Sequence, residues 1–98
     1  MKKILLLEGI HPAAHEKLKL NSFLVEGEKS ALSEDELIRR AQGFQVLGVR
    51  SKTQVTEKVL KALPDLELIG CFCIGTDQVN LSFAREKGIP VFNAPYSN

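Results

Sequence analysis

The chain has 98 residues, 44% of them hydrophobic and 26% charged, with a formal net charge of +1. That length builds one domain near the small end of what a single core supports, and the composition is that of a soluble globular protein. The near-neutral charge gives no electrostatic case for a nucleic-acid or anionic-membrane partner, and the longest apolar runs, such as Ile4 to Leu7, are far too short to span a bilayer.

Met1-Lys2-Lys3 and the apolar run behind it have the outline of a secretory leader, but the run stops at Glu8 and no small-residue cleavage site follows. A cytoplasmic chain is the expectation. Lys3–Leu7 reads instead as a first strand. His11–Leu20 then places Ala13, Ala14 and Leu18 at helical spacing. Phe23–Val25 is the second strand. Ser33-Glu34-Asp35-Glu36 is a capping box ahead of Leu37, Ile38 and Ala41. Gln45–Val49 is the third strand, and Thr56 caps a helix carrying Val59, Leu60 and Leu63 that Pro64 closes from outside. Leu66–Gly70 is the fourth strand. Asn80 caps Leu81–Lys87, which Gly88 stops, and Pro90–Phe92 is the fifth strand. Asn93 to Asn98 reads as a loop. The strands are short, β-rich and mostly non-alternating, as strands buried on both faces of a parallel sheet must be. Alternation of strand and helix implies a doubly wound parallel sheet with right-handed crossovers.

In such a sheet the ligand site lies at the carboxyl ends of the strands. Gly70-Cys71-Phe72-Cys73-Ile74-Gly75-Thr76-Asp77-Gln78-Val79-Asn80 ends the fourth strand and leads into the next helix, and Gly75 is expected to let the backbone turn tightly and approach a ligand without a Cβ in the way. Freed N–H groups there can hold an anion. An ordinary strand-to-helix turn would look the same on spacing alone. After the third strand come Arg50, whose planar fork can clamp a carboxylate or phosphate, Ser51 with a hydroxyl, and Lys52 as a point charge. Taken alone, that run is a solvated basic turn. Convergence of several such loops on one sheet edge favours an anionic ligand.

Other chemistries fail at these positions. A phospho-receiver domain needs an acceptor aspartate where Arg50 stands, and a flavodoxin needs a hydroxyl-rich phosphate loop where Glu8-Gly9-Ile10-His11-Pro12 stands. Neither the dinucleotide fingerprint G-x-G-x-x-G nor a phosphate loop ending in Gly-Lys-Ser/Thr occurs. Cys71 and Cys73 form a C-x-C pair with no second pair to complete a zinc site, so they read as small buried hydrophobes. His11 and His15 lack ligand partners and read as surface residues.

Val49-Arg50-Ser51-Lys52-Thr53, Ile69-Gly70-Cys71-Phe72-Cys73-Ile74-Gly75-Thr76 and the stretch from Gly88 to Asn98 resemble the N-terminal part of the NAD-dependent D-2-hydroxyacid dehydrogenases. The I-G-C-F-C-I-G-T run and the N-A-P-Y-S-N ending are similar to the phosphoglycerate branch of that family. The resemblance implies a flavodoxin-like α/β domain: a five-stranded parallel sheet in the order 2-1-3-4-5, with helices on both faces. It implies that Arg50 and Ser51 bind the substrate and that the Ile74-Gly75 turn clamps its carboxylate, with Ile74 also near the nicotinamide. Asn98 would close the pocket, and Lys52 would help hold the anion. Asn80 stands where the family has an acidic helix cap, which leaves the pocket unaffected because both residue types cap helices.

The family's catalytic histidine, its glutamate partner, its second active-site arginine and its dinucleotide fingerprint would lie beyond Asn98. Residues 1–98 are therefore expected to be the N-terminal segment of a substrate-binding domain, with the NAD-binding Rossmann domain outside this chain. No catalytic residue and no metal site is expected within it. The complete enzyme would be a homo-oligomer that oxidises 3-phosphoglycerate at C2, opening serine biosynthesis. The alternatives are another D-2-hydroxyacid dehydrogenase and a stand-alone, non-catalytic binding module. As a fragment the chain is expected to self-associate through an uncovered apolar face.

Overall fold

The computed structural model describes residues 2–10 and 23–93. Within them the apolar runs form β1 (Lys3–Leu6), β2 (Leu24–Gly27), β3 (Val46–Val49), β4 (Leu68–Cys71) and β5 (Val91–Asn93). Every neighbouring pair is parallel, and the order is β2-β1-β3-β4-β5. The expected 2-1-3-4-5 sheet is the observed one. Leu5, Leu47 and Ile69 are fully buried on one face, while Ile4 and Leu6 are buried on the other. Burial on both faces is what made these strands read as continuous apolar runs.

Strand limits move where a backbone group has a better partner than the ladder. The N–H of Leu66 turns back to the Leu63 carbonyl at 3.3 Å, and those of Glu67 and Leu68 both reach Gln45 O, at 2.7 and 3.2 Å. Pairing therefore starts at Leu68 rather than Leu66, and Cys71 joins the end of the strand opposite Val49. At the sheet's edge, β2 runs on through Glu26 and Gly27, past the expected end at Val25. A charged residue is tolerated there because the edge is open and Arg40 Nη1 lies 2.9 Å from the Glu26 carboxylate. At the opposite edge, β5 takes in Asn93, which pairs in register with Cys71.

Three helices follow in the described residues: α1 (Glu34–Arg40), α2 (Glu57–Ala62) and α3 (Leu81–Glu86). Their starts are fixed by side-chain caps at the expected positions. Ser33 Oγ accepts from the Glu36 N–H at 3.3 Å while Glu36 accepts from the Ser33 N–H at 2.9 Å, a complete capping box. Thr56 Oγ1 accepts from Val59 N–H at 3.4 Å, and Asn80 Oδ1 from Phe83 N–H at 3.0 Å. Beyond α3, Gly88 takes the left-handed conformation (φ 74°) that ends a helix without a Cβ penalty.

Leu37, Val59, Leu60 and Ala84 from these helices pack with Leu5, Leu47, Val49, Ile69 and Cys71 in one core. A smaller cluster of Ile4, Leu6, Ile10 and Val25, with Phe72 against it, lies on the other face. The helix expected over His11–Leu20 lies outside the described residues, as do His11, His15 and Asn98.

Candidate functional site

Parallel pairing brings the carboxyl ends of β3 and β4 side by side, and the N–H of Phe72 donates to Val49 O at 2.7 Å just before the two loops diverge. Between the loops opens a cleft of about 500 Å³. Arg50 and Ser51 form one wall; Cys73, Ile74, Gly75 and Gln78 form the other. Four of the residues singled out from the sequence thus meet in one place. Lys52 instead faces a neighbouring groove of about 430 Å³, with Lys29 and Glu8. Arg50 and Ser51 line both grooves, so they are the partition between them.

Arg50 is half-buried, and its backbone is held from two sides. Its N–H donates to Glu8 Oε2 at 2.7 Å, and its carbonyl accepts from Gln78 Nε2 at 2.7 Å. Among the described residues no carboxylate pairs with its guanidinium, although Arg40, Lys2, Lys58 and Lys61 all have acidic partners. A fixed backbone carrying an uncommitted fork is what recognition of a carboxylate or phosphate needs.

The facing turn is also tied down. Gln78 is buried, and its amide reaches the Cys73 sulfur at 3.2 Å as well as the Arg50 carbonyl. The Cys73 thiol donates to Gly75 O at 3.0 Å, and Asn93 Nδ2 donates to Ile74 O at 2.9 Å. With both carbonyls engaged, the N–H groups of Ile74 and Gly75 have no acceptor among the described residues. Two such donors beside an arginine suit an anion. The Ile74 side chain is 86% exposed at the rim.

Gly75 does not use the backbone freedom that glycine offers at a tight turn. Its φ is not left-handed, and an added Cβ would meet only Asp77 Oδ2 at 3.9 Å. The protein leaves room for a side chain there, so any need for glycine comes from the ligand side. The left-handed residues at this edge are Glu8 (φ 59°) and Gly9 (φ 63°), in the loop after β1.

Glu8 and Gln78 stand in loops that the sequence marks, but their roles there are not legible in it. Nothing in the spacing shows that a carboxylate after β1 is to receive backbone N–H groups from a loop more than forty residues later. Partial burial works against the Glu8 charge, but donation from the Lys52 and Arg50 N–H groups outweighs it and holds the carboxyl below its usual range. A carboxylate whose folded value is depressed adds stability above its unfolded value, and that stability is lost as pH falls through the folded one. The unfolding midpoint of the native protein should therefore exceed that of Glu8→Gln at pH 7, and the gap should close below about 4.5, the ordinary value of the group. Denaturant curves that stay equally far apart down to about pH 3, well below that ordinary value, would contradict this.

Cys71, by contrast, is an inert core thiol. Burial, aided by the neighbouring Cys73, pushes its pKa up to about 11. Its reading as a buried hydrophobe holds, whereas Cys73 is half-buried and bonded within the turn. No cluster of metal-ligating side chains occurs among the described residues.

Residues 4–98 match the family described as D-isomer specific 2-hydroxyacid dehydrogenase, catalytic domain. The chain is 53% identical over 96 residues to D-3-phosphoglycerate dehydrogenase of Dictyostelium discoideum, covering 98% of this chain and 24% of that protein. It superposes on the PH0520 protein of Pyrococcus horikoshii OT3 with a TM-score of 0.86 at 28% identity, covering 95% of this chain and 27% of that one. An NAD+-bound 3-phosphoglycerate dehydrogenase from Entamoeba histolytica shares the fold, with a TM-score of 0.80 at 23% identity over 95% of this chain and 32% of that one. The chain spans between 20% and 24% of the length of the curated relatives it matches.

Proposed function

We infer, because this chain belongs to the D-isomer specific 2-hydroxyacid dehydrogenase family, that it forms the substrate-binding wall of an NAD-dependent D-3-phosphoglycerate dehydrogenase. One observation carries this reading: among the described residues, a half-buried arginine with no carboxylate partner faces, across a cleft, a turn whose N–H groups have no acceptor. The relative in Dictyostelium carries the same activity in its name.

In this reading Arg50 takes an anionic group of 3-phosphoglycerate through its two-pronged fork, and Ser51 adds a hydroxyl. The Ile74 and Gly75 N–H groups orient the carboxylate, which places C2 in the cleft between the two loops. Lys52, on the far side of the Arg50 partition, adds positive potential for the second anionic group. Asn98, beyond the described residues, would close the pocket. The exposed Ile74 offers an apolar surface against which a nicotinamide ring can pack, while the rest of the dinucleotide would be held by residues outside this chain. When bound, NAD supplies the acceptor for the C2 hydride. The chain brings no catalytic residue of its own: it binds and orients. It is the N-terminal segment of a substrate-binding domain, in a cytoplasmic enzyme that assembles as a homo-oligomer.

The test is an assay of the complete protein for NADH formation with 3-phosphoglycerate and with other D-2-hydroxy acids. The highest kcat/KM is expected for 3-phosphoglycerate. A higher value for another 2-hydroxy acid would move the protein to another branch of the family, and no turnover with any of them would favour a non-catalytic module.

A further inference from the structure

We propose that Glu8 is the positioning residue of this cleft: its carboxylate gathers the backbone N–H groups of Arg50, Lys52 and Thr53 and so fixes the direction in which Arg50 meets an anionic substrate. Oε2 accepts from Arg50 at 2.7 Å and from Thr53 at 3.1 Å, and Oε1 accepts from Lys52 at 2.9 Å. Three N–H groups of one short loop converging on a carboxylate form an anion nest, and the nest is filled from within the protein. Three of the loop's amides are thereby committed, and the side chains of Arg50 and Ser51 are left to face the cleft.

The backbone of Glu8 is as unusual as its side chain. It is the sole non-glycine residue with positive φ among the described residues, at 59°. Its N–H donates to Ser30 O at 3.3 Å, and the next N–H, of Gly9, donates to Glu28 O at 3.0 Å. A side chain held in the left-handed region by its surroundings costs free energy, and such outliers gather at functional sites. Here the left-handed turn starts directly after the buried Leu7 and lets the carboxylate reach the loop after β3. Glu8 does not line the cleft itself, so it acts through Arg50 rather than on substrate.

This inference rests on the reading of Arg50 as a substrate ligand, and the experiment separates the two. In the complete protein, KM for 3-phosphoglycerate is measured for Glu8→Ala, Arg50→Ala and the double variant, and amide exchange is followed at positions 50, 52 and 53. Glu8→Ala should raise KM roughly three- to tenfold, as for loss of a modest hydrogen-bonding contribution. The double variant should be no worse than Arg50→Ala, because both changes remove one interaction. Exchange should quicken at the three amides and not at the neighbouring strand amides of Leu47 and Ile69. Added formate, which can refill the nest, should reverse both effects of Glu8→Ala. Glu8→Gln keeps one acceptor oxygen and the side chain's shape, so it should fold and show an intermediate KM. Additive effects of the two alanine changes would overturn the proposal, since they would mean that Glu8 acts elsewhere than on Arg50. So would unchanged exchange at the three amides, whatever the substrate does. An unchanged KM in Arg50→Ala would overturn the substrate reading, and with it the functional half of the proposal.

Discussion

Replacing Arg50 with alanine in the complete protein should raise KM for 3-phosphoglycerate by roughly one to two powers of ten. The estimate follows from losing a charge-assisted hydrogen bond of about 1.5–3 kcal/mol, read as a change in transition-state and ground-state binding together. The magnitude is large because the site is prepared for it. Glu8 and Gln78 hold the Arg50 backbone from opposite sides, so little ordering is needed when the substrate arrives. KM for NAD should hardly change if, as proposed, the dinucleotide is held mainly by residues outside this chain. Arg50→Lys should recover only part of the loss, since an ammonium keeps the charge but not the planar fork. Steady-state kinetics with both substrates varied would check this, and an unchanged KM for 3-phosphoglycerate in Arg50→Ala would contradict it.

Leu47→Ala should cost about 2–5 kcal/mol, the range for emptying a fully buried leucine site. Leu47 is 0% exposed in β3, with β1 and β4 paired on either side and the residues of all three helices in the same core. Neighbours on every side leave the cavity little room to collapse. Set against a domain stability of about 5–15 kcal/mol, the loss is a large share of the whole. The next residue gives the opposite experiment on the opposite face. A Cβ on Gly48 would lie 2.6 Å from Leu6 Cδ2, 3.1 Å from Phe72 Cε1 and 3.3 Å from Ile10 Cδ1. Gly48→Ala should therefore destabilise by overpacking, by about 1–3 kcal/mol. The cost is the smaller of the two because the ends of flexible side chains can give way. Urea denaturation at constant m-value would measure both. The account of the core fails if Leu47→Ala is the milder change.

The sheet was legible because its three central strands are buried on both faces. Ile4 to Leu7, Val46 to Val49 and the run ending at Cys71 had to be apolar, and strand-helix alternation then left few ways to order them. Caps were equally plain, since Ser33, Thr56 and Asn80 act within three residues of where they stand. What acts at a distance was not legible. Glu26 extends β2 because Arg40, fourteen positions on, neutralises it. Glu8 organises the loop after β3, and Gln78 ties that loop to the one after β4. No local pattern announces a carboxylate that receives backbone N–H groups across the sheet.

The same distinction explains the site. Arg50, Ser51, Ile74 and Gly75 could be brought together because each directly follows a strand, and parallel strands deliver their ends to one edge. Which groove each side chain enters is a matter of loop geometry, and Lys52 goes to the other side of the Arg50 partition. Of the two reasons for glycine at position 75, backbone freedom and close approach of a ligand, the first is not used. The chain needs no glycine there, and the left-handed conformations fall at Glu8 and Gly9 instead.

The central claim is that this chain forms the substrate-facing wall through Arg50 and the Ile74-Gly75 turn. A crystal structure of the complete protein with 3-phosphoglycerate tests it most directly. The account predicts the Arg50 guanidinium within hydrogen-bond distance of an anionic group of the ligand and the ligand carboxylate on the Ile74 and Gly75 N–H groups. A ligand seated elsewhere, or an Arg50 paired with a protein carboxylate while substrate is bound, would contradict it.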